Sequence, residues 1–352
     1  MGEICPIPDA LVLRIPGVAF DIDTYTRVGG RLDISDLDLA GAFADRPLRP
    51  DALRCLRYMH DIENHTICYL RDVLVTRAHT DPDITTFLTI WVYEEHWHGE
   101  ALAQVLAAHG EQAGRSRIRR IRAEKGRVDR LRPMAFLLGS ALVPDLTAVH
   151  MTWGAINEWT TQAGYARLAA KARHPVLTEL LRRIMRQEGR HIDFYAGESR
   201  RRLARSPAAQ RITRTALRRF WSPVGTGVRP RSEVAFVVGY LFGDDEGAAA
   251  AARIDRNVDR LPGLAGLHLA STARQKLTPP AGDGDEARYS ARANWYMAPP
   301  SMTRPSMATT ASSRPVGTRH PFQDMPGLSR AAAADARAPT CSKTARRSGS
   351  TA

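Results

Sequence analysis

The stretch WVYEEHWHGEAL, residues 91–102, places a glutamate and a histidine three residues apart within a largely apolar run. The stretch RIMRQEGRHIDFY, residues 183–195, repeats that spacing. Residues i and i+3 share one face of an α-helix, so each Glu-x-x-His pair can bind a single metal ion. The pairs are Glu95 with His98 and Glu188 with His191, and the chain contains no others. One pair alone would be a weak signal, because a histidine on an apolar face is more often a hydrogen-bonded core residue.

Two further glutamates lie at helix-length intervals from these pairs. Glu63 stands in YMHDIENHTICYL, and Glu158 stands in WGAINEWTTQAGY. The steps from Glu63 to Glu95 and from Glu158 to Glu188 are 32 and 30 residues, which suit one helix and a turn. The step of 63 residues from Glu95 to Glu158 leaves room for a long crossover. One Glu from each of two helices, with Glu-x-x-His from each of two others, is the ligand set of ferritin-like di-metal bundles.

Each candidate ligand lies in the apolar stripe of its own helix, where apolar residues recur at steps of three and four. The stripes are Leu56, Met59, Glu63, Ile67, Leu70 and Leu74; Trp91, Glu95, His98, Leu102 and Val105; Met151, Ala155, Glu158, Thr161, Gln162 and Tyr165; and Leu177, Leu181, Ile184, Glu188, His191 and Tyr195. A buried carboxylate is costly unless it is paired or metal-bound. Four of them facing one core would repel each other, and two cations resolve that conflict.

The pattern predicts an all-α protein, a ferritin-like four-helix bundle with additional C-terminal helices. We expect ligand helices at 50–79, 81–108, 145–172 and 174–205, a short apolar helix between Pro133 and Pro144, and further helices near 207–221, 231–242, 244–260 and 263–276. Residues 1–47 are predicted to form an N-terminal arm and 48–276 the ferritin-like di-iron helical domain. Residues 278–352 are rich in Pro, Ser, Thr, Ala and Arg and have no apolar period, which predicts a disordered tail.

Cysteine usage and hydropathy indicate the compartment. The four cysteines show neither CxxC nor disulfide-framework spacing, as in proteins of a reducing cytoplasm. The first residues lack the basic and apolar regions of a signal peptide. No apolar run approaches the ~20 residues of a membrane-spanning helix. We therefore expect a cytoplasmic protein with no membrane span.

The net charge of +13 is partly local. Residues 110–132 contain nine basic and three acidic residues. Such a segment is either a solvated arginine-rich face or a docking site for an acidic partner. Nucleic acid ranks below both, because no DNA- or RNA-binding motif accompanies the charge, and no nucleic-acid partner is expected.

The quoted motifs resemble those of the soluble acyl-carrier-protein (acyl-ACP) desaturases, a family of the ferritin-like superfamily. WVYEEHWHGEAL resembles the second-helix motif, which has a Trp, two adjacent Glu and then His-Gly. NEWTTQAGYARLA followed by MRQEGRHIDFY resembles the third- and fourth-helix pair, and the resemblance spans roughly residues 48–203. Where members of that family often have Asp before the fourth-helix Glu, this chain has Gln187, which can hydrogen-bond but carries no charge.

The resemblance implies a ligand set and a reaction. Two Fe ions would be held by Glu63, Glu95, His98, Glu158, Glu188 and His191. Glu95 and Glu188 would bridge the ions, and Thr161 would line the oxygen pocket as a catalytic residue. The implied activity is O2-dependent desaturation of an acyl chain carried on acyl carrier protein, by a homodimer that receives electrons from a ferredoxin-type donor. The basic segment 115–132 would dock the carrier protein.

Two alternatives would use the same ligands. One is another ferritin-like di-iron oxidase or oxygenase acting on a small molecule. The other is a non-oxygenase, iron-binding ferritin-like protein. The 63-residue step and the extra C-terminal helices favour the desaturase over the iron-storage alternative.

Overall fold

The computed structural model describes residues 20–278, except 125, 126, 144 and the side chains of 127, 128 and 130. These residues belong to one compact unit, Met1–Ala293. Residues 1–19 of the predicted arm, and the predicted tail from 279 onward, lie outside the described residues. Within the described ranges the regular structure is helical with no strand, so the predicted all-α class is confirmed. No helix there is long and apolar enough to cross a membrane.

The helices follow the predicted order with few exceptions. They are α1 (Ile22–Val28), α2 (Leu39–Asp45), α3 (Pro50–Glu63), α4 (Thr66–Leu74), α5 (Pro82–Ala108), α6 (Gly114–Ala123), α7 (Arg127–Leu142), α8 (Leu146–Ala172), α9 (Pro175–Arg205), α10 (Pro207–Phe220), α11 (Arg231–Phe242), α12 (Asp245–Asp259) and α13 (Leu269–Leu277), with a 3-10 turn at Arg77–Thr80. Helix α13 starts later than predicted, because Gly263 and Gly266 adopt positive φ and turn the chain before it.

Helices α3, α5, α8 and α9 form the four-helix bundle. Helix α3 packs against α5, α5 against α9, α9 against α8, and α8 against α3, which closes the ring. The short helices α1 and α2 of the arm pack on α5. Helices α10 and α12 pack on α8, and α11 packs on α3 and α8, so the C-terminal helices cover the outside of the bundle.

Local sequence explains where the long helices begin and end. Proline occupies the first position of α3, α5 and α9, where its missing N–H costs nothing. The Asp81 carboxylate caps α5 by accepting from the backbone N–H of Asp83 and Ile84 at 3.2 and 3.3 Å. Only Arg173, with φ of 51°, and His174 separate α8 from α9. This tight left-handed turn makes α8 and α9 neighbours along their length.

The prediction of one continuous helix from Pro50 to His79 is wrong. Helix α3 ends at Glu63, and α4 begins at Thr66. The Thr66 hydroxyl donates to the Glu63 carbonyl at 2.7 Å and the Asn64 amide donates to the His60 carbonyl at 2.9 Å. The His60 carbonyl keeps its α-helical bond from the backbone N–H of Asn64 at 3.2 Å. The next N–H, of His65, instead bonds the Ile62 carbonyl three residues earlier at 2.8 Å, so the α-helical pattern ends there. Beyond the break the predicted stripe holds only in part, since Leu70 is buried but Ile67 and Leu74 are exposed.

Helix α7 differs from the predicted apolar helix between Pro133 and Pro144, because it begins at Arg127 and contains Pro133. Proline has no N–H to donate to the carbonyl four residues earlier, which belongs to Asp129. The Arg71 guanidinium of α4 lies 3.4 Å from that carbonyl and donates to it instead. A neighbouring helix therefore satisfies the group that the proline leaves free.

Close packing of α8 on α9 depends on Gly154. A Cβ atom at Gly154 would overlap the ring of Tyr195, which is fully buried between the two helices. Only glycine lets the α8 backbone approach that ring. The approach matters because Glu158 follows Gly154 by one turn and Glu188 lies two turns before Tyr195.

We expect Gly154→Ala to destabilise the protein by about 1–3 kcal/mol, because the added methyl group overpacks a filled core. The measurement is the free energy of unfolding in urea or guanidinium. Gly197→Ala is the matched control, since a Cβ at Gly197 on α9 meets nothing within 4 Å. That control should gain up to about 1 kcal/mol from helix propensity. Equal stability of both variants would contradict the packing argument.

Candidate metal centre

The bundle brings all six predicted ligands into one buried cluster. Helix α3 supplies Glu63, α5 supplies Glu95 and His98, α8 supplies Glu158, and α9 supplies Glu188 and His191. Each is at most 6% exposed. Their convergence from four helices is a property of the fold. Their role as metal ligands stays a prediction.

The cluster divides into two overlapping groups that could each hold a metal ion. One group is Glu63, Glu95, His98 and Glu188, and the other is Glu95, Glu158, Glu188 and His191. Within each group, one ligand atom from every residue lies within 4.8 Å of the others. Both groups share Glu95 and Glu188, so these two carboxylates stand where bridging ligands would stand.

The oxygens of the shared carboxylates divide between the two groups. Nδ1 of His98 lies 3.7 Å from Oε2 of Glu95 and 3.4 Å from Oε1 of Glu188. Nδ1 of His191 lies 3.2 Å from Oε1 of Glu95 and 3.0 Å from Oε2 of Glu188. Each carboxylate thus turns one oxygen toward each histidine. This is the arrangement in which one carboxylate can bind two metal ions.

Glu94 fixes the orientation of His191. Its buried carboxylate accepts hydrogen bonds from His191 Nε2 at 2.8 Å, Tyr25 OH at 2.8 Å, Arg190 at 2.6 Å and the Gly30 N–H at 3.1 Å. Burial opposes ionisation, but these donors outweigh it and lower the pKa of Glu94 to about 2. An ionised carboxylate only accepts hydrogen bonds, so Nε2 of His191 carries the proton. In the neutral ring, Nδ1 then has a free lone pair facing the cluster.

Gln187 fixes the orientation of His98, but its side chain is neutral. Its Oε1 lies 2.8 Å from His98 Nε2, and its amide Nε2 donates to the Gly30 carbonyl at 3.0 Å. The second bond sets the amide orientation, because a carbonyl cannot donate. Oε1 must therefore accept from His98, which again leaves Nδ1 free toward the cluster. The departure from the family pattern keeps the hydrogen bond and loses the negative charge.

The two unshared glutamates are each held by one aromatic donor. The Tyr165 hydroxyl donates to Oε1 of Glu63. The indole N–H of Trp91 donates to Oε1 of Glu158 at 3.0 Å. Each bond fixes one carboxylate oxygen, and the remaining oxygen is available to a metal ion.

Burial and crowding determine the protonation of the metal-free cluster. Burial raises the pKa of Glu63 and Glu158, and the charge of Glu95 raises it further. Burial disfavours the imidazolium of His98, but the carboxylates of Glu188 and Glu95 outweigh it and raise the pKa to about 9. Burial opposes the imidazolium of His191 too, but the neighbouring carboxylates raise the pKa of His191 well above its usual value. The raised pKa values favour the protonated forms of all four residues, which offsets the mutual repulsion of the carboxylates.

Two buried atoms support the fit to a metal ion. Nδ1 of His98 and Oε1 of Glu188 have no hydrogen-bond partner, although a buried polar group without a partner costs about 1–3 kcal/mol. They lie 3.4 Å apart and point into the same group of four. Four carboxylates with two imidazoles form an oxygen-rich set that suits paired iron or manganese ions.

A mostly apolar cavity of about 620 Å³ reaches the cluster beside Glu63. Glu63 is the last residue of α3 and lines this cavity while staying buried. The walls come mainly from α4 and α5, including Ile67, Ile90, Val92 and Tyr93. A second cavity of about 380 Å³ shares Asn64, His96 and Arg122 with the first, and Arg115 and Arg119 also line it. The approach to the cluster therefore has an apolar interior and a basic outer part.

Sequence reasoning missed several residues that orient the ligands. Glu94 had a visible signal, because it is a second carboxylate beside Glu95 in a buried helix. Trp91 and Tyr165 were predicted in the ligand stripes but not as hydrogen-bond donors. Tyr25 and Gly30 belong to the arm and carry no sequence signal for this role. Thr161 is half-buried one turn after Glu158 on α8, and its predicted catalytic role stays a prediction.

Comparisons with known proteins leave the family open: no family model matches the sequence, and no curated protein or solved structure shows significant similarity to it. The case for a metal centre consequently rests on the geometry of this chain.

We expect the four carboxylates to separate into two classes by metal stoichiometry. Glu63→Ala and Glu158→Ala should each lose about one of two bound ions, because each residue belongs to one group. Glu95→Ala should lose both, because it belongs to both groups. Anaerobic equilibrium dialysis with Fe(II), followed by elemental analysis, gives the count. Glu198→Gln is the control, since Glu198 only pairs with Arg201 and Arg202 near the surface of α9. Two tightly bound ions in Glu95→Ala would contradict the bridging assignment.

Metal binding should release protons, and affinity should rise with pH. His98 has a pKa of about 9 and is protonated at neutral pH, whereas a ligating imidazole must be neutral. Glu63 and Glu158, whose pKa values are also raised, lose protons as well. Calorimetric titration in two buffers of different ionisation enthalpy, between about pH 6 and pH 8, counts the released protons. Affinity that is constant over this range, with no proton release, would be the contrary result.

Proposed function

We propose that the chain is a di-iron oxidoreductase that uses O2 to desaturate an acyl chain carried on acyl carrier protein. The observation that carries the proposal is the division of the Glu95 and Glu188 oxygens between two histidines, each with its Nδ1 facing the cluster. That arrangement suits two metal ions side by side. The motif resemblance supplies the reaction class.

When bound, the two iron ions would supply the redox chemistry, with O2 as oxidant and a ferredoxin-type donor as the source of two further electrons. The acyl chain gives up two hydrogen atoms and gains one C=C bond. O2 takes up four electrons and four protons and leaves as two water molecules. Half of the electrons and protons come from the acyl chain and the rest from the donor and solvent.

The residues of this chain bind, orient and exclude water. Glu94 and Gln187 hold both histidines in the tautomer that can ligate a metal. Trp91 and Tyr165 orient the outer glutamates. Phe87 and Phe194 stack with their centroids 3.8 Å apart below His191 and keep that side of the centre apolar. A water-poor site strengthens the electrostatic interactions within it.

The cavities support an amphiphilic substrate. An acyl chain matches the apolar walls near Glu63. An anionic carrier matches Arg115, Arg119 and Arg122, which line the outer cavity. Opposite charges across an interface speed association and fix orientation. The basic segment 115–132, which is predicted to bind the carrier protein, therefore lies beside the cavity that an acyl chain would enter.

The test of the function is turnover of a defined substrate. Protein loaded anaerobically with Fe(II) is given a ferredoxin-type donor, O2 and acyl-ACP, and the mass of the acyl group is followed. Loss of two hydrogen atoms supports desaturation. Gain of oxygen would identify an oxygenase, and iron oxidation with an unchanged acyl group would identify an iron-binding protein. Glu95→Ala is the control, because it should lack the ions.

Charge reversal at the cavity mouth should weaken carrier-protein binding. Arg115→Glu together with Arg119→Glu should lower affinity at least about tenfold at low salt, because both changes place like charges against an acidic partner. Arg218→Glu with Arg219→Glu, on exposed positions of α10, changes net charge equally and should have little effect. Surface plasmon resonance at two salt concentrations measures both variants. Equal loss in both pairs would assign the effect to net charge alone.

A further inference from the structure

Helix α7 presents an apolar face to solvent. Leu131, Met134, Leu138 and Leu142 are 59%, 59%, 61% and 81% exposed, and Leu137 is 54% exposed. With the exposed Ala135 and Ala141 they follow helical steps of three and four over three turns. We call Leu131, Met134, Ala135, Leu138, Ala141 and Leu142 the α7 stripe. It contains no polar side chain.

The opposite face of α7 is anchored, so the exposed stripe follows from how the helix packs. The Phe136 ring lies against the His150 ring, with centroids 5.1 Å apart. The buried Ser140 hydroxyl accepts from the backbone N–H of Arg77 at 2.8 Å. Gly139 lies against Leu146 of α8. Turning the stripe inward would break these contacts.

An exposed stripe of this kind indicates an interaction surface. Isolated apolar residues are common on protein surfaces, but contiguous apolar patches mark binding sites for proteins, ligands or membranes. Fully burying one leucine side chain stabilises it by about 1.5–3 kcal/mol relative to water. The stripe holds three leucines and a methionine, so a partner that covered it would gain considerable free energy.

Positive charge precedes the α7 stripe along the chain. Only residues 124–126 separate α6 from α7, a distance of at most about 15 Å along the chain. Arg115, Arg119, Arg120 and Arg122 of α6 are exposed. From 114 to 132 the sequence contains nine basic and two acidic residues. An anionic partner is therefore favoured.

We propose that α6 and α7 dock the protein on an anionic lipid surface. The α7 stripe would enter the boundary of the acyl chains, and the arginines would contact lipid phosphates, as interfacial amphipathic helices do. The proposal needs no metal ion. It uses arginines of α6 that the proposed function assigns to the carrier protein, so the carrier protein and the lipid surface would compete for them.

The chemistry of the α7 stripe favours a lipid surface over a protein partner or a second copy of this chain. Protein interfaces carry about one hydrogen bond per 100–200 Å² and are anchored by aromatic residues and arginine, whereas leucine is under-represented among hot spots. The stripe offers neither hydrogen bonds nor aromatic rings, and acyl chains require neither. Symmetric pairing with a second copy would bring the same patch of both chains together, including its arginines. Their repulsion disfavours that arrangement.

The test is co-sedimentation of the full chain with vesicles of phosphatidylcholine alone or phosphatidylcholine mixed with phosphatidylglycerol. We expect at least about tenfold tighter binding to the anionic vesicles, weakened by salt. Leu138→Asp with Leu142→Asp should reduce that binding at least about tenfold. Both positions are exposed, so the fold should survive, and circular dichroism checks it. Val28→Asp with Phe220→Asp is the matched control, since both residues are exposed apolar residues outside the stripe.

Three results would overturn the proposal. The parent protein could fail to bind anionic vesicles at low salt. The stripe variant could bind them as tightly as the parent, which would leave only non-specific charge attraction. The stripe variant could instead lose a dimer in size-exclusion light scattering, or lose carrier-protein affinity, while vesicle binding stays unchanged. That last result would assign the stripe to a second copy or to a protein partner.

Discussion

Four carboxylates buried in one core are the constraint on which the rest of this structure depends. Without cations their repulsion and desolvation would oppose folding, because each charge has left water for a medium that solvates it poorly. In the metal-free cluster the raised pKa values of Glu63, Glu158, His98 and His191 favour their protonated forms, which relieves the repulsion. Metal ions would relieve it in the loaded protein, and the same side chains would then be ligands. The cluster thus has two ways of reaching charge balance, and the competition between them makes metal binding depend on pH.

The surrounding residues make the two candidate metal positions unequal. His191 faces a carboxylate that accepts four hydrogen bonds, whereas His98 faces the neutral amide of Gln187. A carboxylate partner raises the basicity of a ligating imidazole more than an amide does. The position served by His191 would accordingly hold its ion more tightly. This difference in expected affinity arises from the partners of the two histidines, Glu94 and Gln187, which are not themselves candidate ligands.

The sequence predicts those features that depend on interactions between residues close together in the chain. Helical period and Glu-x-x-His spacing are local, and they predicted α5, α8 and α9 to within two residues and the six Glu and His residues that converge. At the break after Glu63, the Thr66 hydroxyl bonds the Glu63 carbonyl and the His65 N–H bonds the carbonyl three residues earlier, and neither bond alters the apolar pattern of the sequence. The role of Pro133 depends on Arg71, a residue distant in sequence. Contacts of that kind cannot be inferred from periodicity.

The arm illustrates the same limit and has a consequence of its own. A single residue, Gly30, donates its N–H to Glu94 and accepts at its carbonyl from Gln187. These are the partners of the two histidines, so both imidazoles are tied to one short piece of backbone. An ion that fixes one ring would restrict this backbone and thereby reduce the entropy lost when the second ring is fixed. The two metal ions would then bind cooperatively, and the backbone of the arm at Gly30 would couple the two binding events.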